Sequence, residues 1–381
     1  MEDFFPSKLA IGKQFCNRHK EKELLNKNIM KTRHTVLVSP RRYGKSSLVH
    51  HVVSESKLPF ASIDLFLAHD DKAIIKRILT GIAEIVSQIL PLDQKILQKL
   101  QALFSKFRVS LSVSHFLIET TYNISEVDAA DQIFSGLLAL QELAKAEHKK
   151  VIFFIDEFQD IASAESAKSI QGAIRHIAQA TSEIIFIFSG SNRHLLLELF
   201  DDKSMPLYML CDKIYLDRMS SESYKSHLQK LAEYKWGSTL SEANFYKIMA
   251  LTELHPFYVN LLCNRIWENK NPPTEQQIIE AWNQCYEDEK RRLVVELEKL
   301  TRNQQEVIKS LAFEPTNELS SQTFIAKTGM ASSSILQSTK ALFERDMIFK
   351  VTFEERALPF FKINQVRVLD PLLAYALRQY G

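Results

Sequence analysis

Thr35-Val36-Leu37-Val38-Ser39-Pro40-Arg41-Arg42-Tyr43-Gly44-Lys45-Ser46-Ser47 is the stretch that decides the fold. A short apolar run meets a turn, and residues 46–53 then read as a helix. Anion binding needs that order. Backbone N–H groups at a helix N-terminus face the anion, and the helix dipole favours negative charge. Gly44 lets the backbone approach closely. Lys45 has the reach for outer phosphates, and the Ser46 hydroxyl suits magnesium. The candidate phosphate loop is therefore Ser39, Pro40, Arg41, Arg42, Tyr43, Gly44, Lys45, Ser46 and Ser47. Ser39 stands where such loops usually carry their first glycine, and serine resists positive φ.

A second segment supplies the other half of a nucleotide site. Val151-Ile152-Phe153-Phe154-Ile155-Asp156-Glu157 is an apolar strand ending in two carboxylates. In an open parallel sheet, ligands bind outside the C-terminal ends of the strands. Asp156 is placed to hold magnesium through water, and Glu157 to orient and polarise an attacking water. A further apolar run, 184–188, ends in Ser189-Gly190-Ser191-Asn192. Ser189 and its neighbours suit a sensor of the γ-phosphate, and they equally suit a plain strand-to-loop turn.

The pattern around these segments alternates. Residues 60–65 read as a strand and 71–90 as a helix. Residues 129–146 carry Ile133, Leu137, Leu140 and Ala144 at helical spacing, and 166–180 form another helix. Val109, Leu111 and Val113 alternate with serines, which predicts a half-exposed strand or hairpin. Alternating helices and near-continuous apolar strands predict a three-layer α/β domain with a parallel sheet over residues 1–217. Beyond it the strand signal stops. Residues 221–234, 241–252, 256–270 and 274–300 read as helices, with Ser220 and Thr274 as N-caps. This predicts a helical subdomain at 218–300 and a third domain at 301–381.

Composition narrows the function classes. The 381 residues carry a formal net charge of +2, so no global field favours nucleic acid. The longest apolar runs, 151–155 and 184–188, fall far short of the ~20 residues that cross a bilayer. No C-x-x-C pair or zinc spacing involves Cys16, Cys211, Cys263 or Cys285. With the polar start MEDFFPSK, the expectation is a cytoplasmic protein with reduced, mostly buried thiols.

These motifs together resemble the STAND-type P-loop ATPases, a branch close to AAA+ proteins, and more narrowly the archaeal-type ATPase family. Phe15-Cys16-Asn17-Arg18-His19-Lys20-Glu21 resembles that family's N-terminal Phe-x-Gly-Arg-x-x-Glu box, with Asn17 in the glycine position. The loop from Pro40 to Ser46, Asp156-Glu157, Ser189-Gly190-Ser191 and His255-Pro256-Phe257-Tyr258 match its further boxes. The resemblance implies ATP and Mg2+ as ligands, Arg18 near the adenine, and a helical subdomain that closes over the nucleotide through Pro256. It also implies a sensor strand between the phosphate-loop strand and the strand ending in Asp156. One box is absent. Pro206-Leu207-Tyr208 is followed by Met209-Leu210 where the family commonly has Gly-Arg, which leaves Arg193 or Arg218 as substitutes.

The last region reads as a winged helix-turn-helix: helices at 301–311, 320–327 and 332–345, then strands at 347–353 and 359–363. In a DNA-binding version residues 332–340 would be the recognition helix, with Lys340, Arg345, Lys350 and Arg356 on phosphates. From Thr301 onward, ten Lys and Arg face eight Asp and Glu, a weak basic footprint. DNA binding through 332–356 and docking of a protein partner or a second copy both stay open. The favoured expectation is an ATP-hydrolysing switch. The alternative is a non-hydrolysing nucleotide-gated scaffold or transcriptional regulator. No Asn-Lys-x-Asp guanine box supports a GTPase.

Overall fold

A computed structural model of the chain describes residues 4–6, 9–10, 12–90, 110–114, 117–121, 128–353, 355 and 358–380. Val109 and Arg356, singled out above, lie outside them. The chain forms two compact units. One comprises His19–Arg41 and Lys45–Leu216, the other Met1–Arg18, Arg42–Gly44 and Asp217–Gly381.

The first unit is a three-layer α/β domain of the P-loop NTPase type. Its strands are β1 (Thr35–Val38), β2 (Phe60–Asp64), the hairpin β3 (Ser110–Ser114) and β4 (Leu117–Thr121), β5 (Val151–Asp156), β6 (Ile184–Gly190) and β7 (Asp212–Tyr215). Five of them form one parallel sheet in the order β2-β5-β6-β1-β7. Strand β6 thus separates β1 from β5, the order that the resemblance implied. The central strands are buried along their whole length apart from the Asp156 end, because helices cover both faces. Each fully buried Ile or Phe there contributes about 1.5–3 kcal/mol. The hairpin pairs antiparallel from Ser110↔Thr121 to Ser114↔Leu117, in the segment where the serine alternation predicted one.

The helices of this unit are α1 (His19–Met30), α2 (Lys45–Ser56), α3 (Asp71–Ile89), α4 (Ala129–Ala146), α5 (Ala167–Ala180) and α6 (Arg193–Asp201). The Asp70 side chain caps α3 by accepting from Ala73 N at 2.7 Å. Midway along α3, Gly81 allows close approach to the sheet, since a Cβ there would lie 2.5 Å from the Phe153 ring. Register aligns the strand ends. Val38 pairs with Gly190, Ile155 with Phe188 and Asp64 with Asp156, so the polar residues after each strand line one edge.

The second unit carries α7 (Ser221–Trp236), α8 (Glu242–Thr252), α9 (Pro256–Ile266), α10 (Glu275–Glu298), α11 (Arg302–Phe313), α12 (Gln322–Thr328), α13 (Ser332–Glu344) and α14 (Pro371–Tyr380). Ser220 accepts from Ser223 N, and Thr274 forms a full capping box with Gln277, so both predicted N-caps stand. Phe5, from the start of the chain, packs edge-on against Trp267 with ring centroids 4.8 Å apart, and its carbonyl accepts from Asn264 Nδ2 at 3.2 Å.

The predicted strand at 359–363 is a correction. Those residues turn instead: Phe361 N donates to Leu358 O at 2.8 Å, and Asn364 takes a φ of 67°. The period-two pattern there reflects Phe361 packing inward, while Pro359 has no N–H for a ladder. The pair is made by β8 (Ile348–Lys350) and β9 (Val366–Val368), antiparallel, with Ile348 opposite Val368.

A buried charge cluster joins α8, β9 and the segments beside them. The Glu253 and Arg218 side chains are 3% and 1% exposed, with Oε2 3.6 Å from Nη1. Arg367 Nη2 donates to Glu253 Oε1 at 3.1 Å. Arg218 also donates to the carbonyls of Glu253 and Leu369 and lies 4.2 Å from the centre of the Phe349 ring. All four cysteines are free. Burial pushes the Cys16 thiol up to about 12 and the Cys285 thiol up to about 11. No helix among the described residues is long and apolar enough to cross a membrane.

Candidate nucleotide-binding site

The phosphate loop leaves β1 at Val38 and enters α2 at Lys45. Its left-handed residues are Arg42, φ 64°, and Gly44, φ 83°. Ser39 is not among the positive-φ residues, so the backbone does not require a glycine there and serine costs nothing. The same logic covers the N-terminal box. Asn17 has φ 48°, and asparagine tolerates that region better than other non-glycine residues.

Lys45 is buried, and its ammonium donates to the carbonyls of Ser39 at 3.2 Å and Pro40 at 3.1 Å, inside the curve of the loop. Ser46 and Ser47 lie in the first turn of α2, where backbone N–H groups point outward. Ser46 Oγ donates to Asp156 Oδ2 at 2.6 Å. This contact ties the loop to β5. Asp156 Oδ1 accepts from the Ser189 hydroxyl and, at 3.0 Å, from Glu157 N. The structure therefore brings Lys45, Ser46, Asp156, Glu157 and Ser189 to one sheet edge.

Glu157 leaves the strand in a left-handed conformation, φ 49°. Its Oε2 accepts from Gln159 Nε2 at 2.7 Å, Ser191 N at 3.0 Å and Ser191 Oγ at 2.7 Å. Burial alone would raise its pKa, but the Gln159 and Ser191 hydrogen bonds and the Lys45 charge outweigh it and hold the carboxyl below the ordinary value. Two neighbours go the other way. Burial pushes Asp64 up, opposed by the Phe66 N–H and reinforced by the Asp156 and Glu157 charges; burial and Glu157 likewise raise Asp160.

Sequence reasoning missed Gln159, Asp64 and the link from Arg41 Nε to Ser191 Oγ at 2.9 Å. Gln159 is 5% exposed, and its Oε1 has no hydrogen-bond partner among the described residues. The available signal was its place two residues after Glu157, within reach of that carboxylate on a tight 3-10 turn.

Arg18, Arg42, Tyr43, Gly44 and Pro256 belong to the second unit. Arg18 Nη2 donates to Tyr43 O at 2.9 Å and Asp217 O at 3.0 Å. The Arg42 guanidinium lies 4.2 Å from the centre of the Phe257 ring, and the Tyr43 ring meets His255 edge-on at 4.7 Å. Pro256 starts α9, the N1 position where its missing N–H costs nothing. His255 beside it is fully buried, and burial with the Arg218 and Arg42 charges holds its imidazole neutral. Arg218, considered above as a substitute arginine, is committed to the buried cluster with Glu253. At the place of the missing Gly-Arg, Met209 is exposed with φ 54°, while Arg175 holds the carbonyls of Pro206 and Tyr208.

The donor set fits magnesium. Hydroxyl and carboxylate oxygens are hard ligands, and this cation takes one or two protein groups and completes its shell with water and phosphate. Ser46 and Asp156 in contact are such a pair, and among the described residues no cluster of three or more His, Cys, Asp or Glu side chains offers an all-protein cage.

No protein-family model and no curated protein matches the chain. Solved structures do. The chain is similar to the Walker-type ATPase PABY2304 of Pyrococcus abyssi, at 17% identity over 98% of this chain and 99% of that one, with a TM-score of 0.69. It is also similar to the Aeropyrum pernix ORC2 protein in its ADPNP-ADP complexes, at 14% identity over 98% and 95% of the chains, TM-score 0.56. At these identities the likeness is one of fold, and it runs the length of the chain.

Proposed function

We propose that this chain binds MgATP on residues 39–47, hydrolyses it, and acts as a STAND-type switch. The observation that carries the reading is the 2.6 Å contact from Ser46 Oγ to Asp156 Oδ2, with Glu157 next in the chain. A helix N-terminus, a lysine and a hydroxyl–carboxylate pair meet there, as phosphoryl transfer requires. Lys45 would turn from the loop carbonyls to the β- and γ-phosphates. Ser46 and Asp156 would hold Mg2+, which when bound neutralises charge building on the phosphate oxygens. Glu157 would orient the attacking water, and Ser189 would fix Asp156. Arg18 and Pro256 would border the base. The ATPase named among the similar structures and the nucleotide complexes of the ORC2 protein support the same reading.

The domains in this proposal are the nucleotide domain 1–217, a helical subdomain 218–300 and a winged helix 301–381. The nucleotide state would bias how the later domains engage a protein partner, a second copy or DNA. Calorimetry with ATP and single-turnover hydrolysis test it. Lys45→Ala is expected to weaken ATP binding at least about tenfold. Glu157→Gln is expected to keep MgATP and lose turnover. Equal ATP affinity for wild type and Lys45→Ala would remove the site.

One observation favours the non-hydrolysing scaffold as a second reading. Met209 and Leu210 put no cation where the resembling family has one, and such an arginine is worth orders of magnitude in rate. Wild type that binds MgATP but shows no turnover above background, with candidate partners present, would promote it.

A further inference from the structure

We infer that Arg41 recognises the terminal phosphate of the nucleotide and is coupled to Glu157 through the Ser191 hydroxyl. The inference rests on the ATP-site reading above and names the cation that reading lacks.

The two loop arginines are used differently. Arg42 is in the left-handed region and stacks on Phe257. Arg41 is exposed and spends one donor, Nε, on Ser191 Oγ at 2.9 Å. Among the described residues its two terminal nitrogens have no hydrogen-bonding partner. A guanidinium anchored through Nε still presents its outer nitrogens as a planar fork, the shape that takes two oxygens of a phosphate.

The direction of the hydrogen bonds is fixed by chemistry. Arg41 has no acceptor, so Ser191 Oγ accepts from it. The single hydroxyl proton of Ser191 then goes to Glu157 Oε2, 2.7 Å away. One buried hydroxyl therefore separates a cation from the carboxylate assigned to the attacking water. All three Glu157 donors meet Oε2, which leaves Oε1 as the oxygen for that water. A phosphate oxygen drawing the Arg41 fork toward itself would strain or release the Ser191 bond. The occupancy of the terminal phosphate position would thus be felt at Glu157. The chain runs entirely within His19–Arg41 and Lys45–Leu216.

The test compares affinities for ADP and for a non-hydrolysable β,γ-imido triphosphate, both with magnesium, by calorimetry on the full chain. In wild type the triphosphate is expected to bind more tightly. Arg41→Ala should weaken the triphosphate about tenfold and change ADP by less than about twofold. Arg41→Lys keeps the charge but not the fork, and should recover only part of that loss. Ser191→Ala should keep the triphosphate preference and lower kcat by about tenfold or more. Equal losses for both nucleotides in Arg41→Ala, or none for either, would overturn the inference while leaving the ATP site standing. Wild type that binds neither nucleotide would bring down the ATP-site reading and this inference together.

Discussion

A Cβ on Gly190 would lie 1.9 Å from Gln159 Oε1, so the end of β6 and the turn after β5 share one volume. The amide that fills it donates to Glu157. Gly190→Ala is expected to expel Gln159 and strip Glu157 of one of its donors. Overpacking of this kind costs about 1–3 kcal/mol, and turnover should fall by about tenfold. Urea unfolding and single-turnover hydrolysis check both. Adding Gln159→Ala should restore the stability and leave turnover low.

The depressed pKa of Glu157 has a signed consequence for rate. A carboxylate held below its ordinary 4.5 stays ionised through the neutral range, so turnover should not titrate there through this group. Ser191→Ala removes the hydroxyl donor that stabilises the ionised form and keeps the backbone N–H. Its acid limb should therefore move to higher pH than in wild type, a shift that a purely structural role for Ser191 would not produce.

Glu253 is the counter-charge for two arginines that solvent does not reach. Glu253→Gln leaves Arg218 and Arg367 buried without it, at a cost of about 3–5 kcal/mol. The denaturant midpoint of unfolding should drop accordingly.

Two buried hydrogen bonds fix the His34 tautomer. Its Nδ1 accepts from Phe186 N at 3.1 Å, and Nε2 donates to Ala178 O at 2.7 Å. Burial lowers its pKa from 6.5, opposed by the Ala178 carbonyl. The unfolded chain thus takes up a proton near 6.5 that the folded chain refuses. This contribution is complete above that pH and is lost as pH falls through it toward the lower folded value. His34→Gln should flatten part of the urea-midpoint slope against pH. His50, His51, His227 and His255 are lowered as well and keep the remainder.

On α13 the outward residues Ser333, Leu336, Gln337 and Lys340 carry one cation, and Lys340 approaches Glu344 at 4.0 Å. Affinity for duplex DNA should be weak and fall steeply with salt. If DNA binds on this face, Lys340→Ala with Lys350→Ala lowers the salt slope by about two. Fluorescence anisotropy at several salt concentrations measures it, and an unchanged slope would remove this face as the DNA site.

The sheet was legible because its strands are apolar along their length and each ends in a recognisable polar motif. Val36 to Val38, Phe153 to Ile155 and Ile185 to Phe188 look the same in sequence and in section. Loop chemistry was legible for Lys45, Ser46 and Asp156, whose types are dictated by phosphate and metal. Gln159 was not, because its role comes from a 3-10 turn and a missing Cβ at Gly190, neither of which has a periodic signature. Arg41 could be named as a loop residue, but its bond to Ser191 depends on β6 lying beside β1, a non-local fact. The misplaced strand at 359–363 shows the opposite failure, alternation produced by one inward Phe361 in a turn.

The packing of Phe5 on Trp267 bears on the timing of synthesis. Residues 19–216 can leave the ribosome and close the sheet core while Trp267 has yet to be made. The segment that carries Phe5 must wait for its partner, although it is translated before it. Arg42–Gly44 belong to that same late unit. A nascent chain halted before Asp217 would hold every strand of the parallel sheet, while Arg42 and Tyr43 at the tip of the phosphate loop would still lack Phe257 and His255, the rings they pack against.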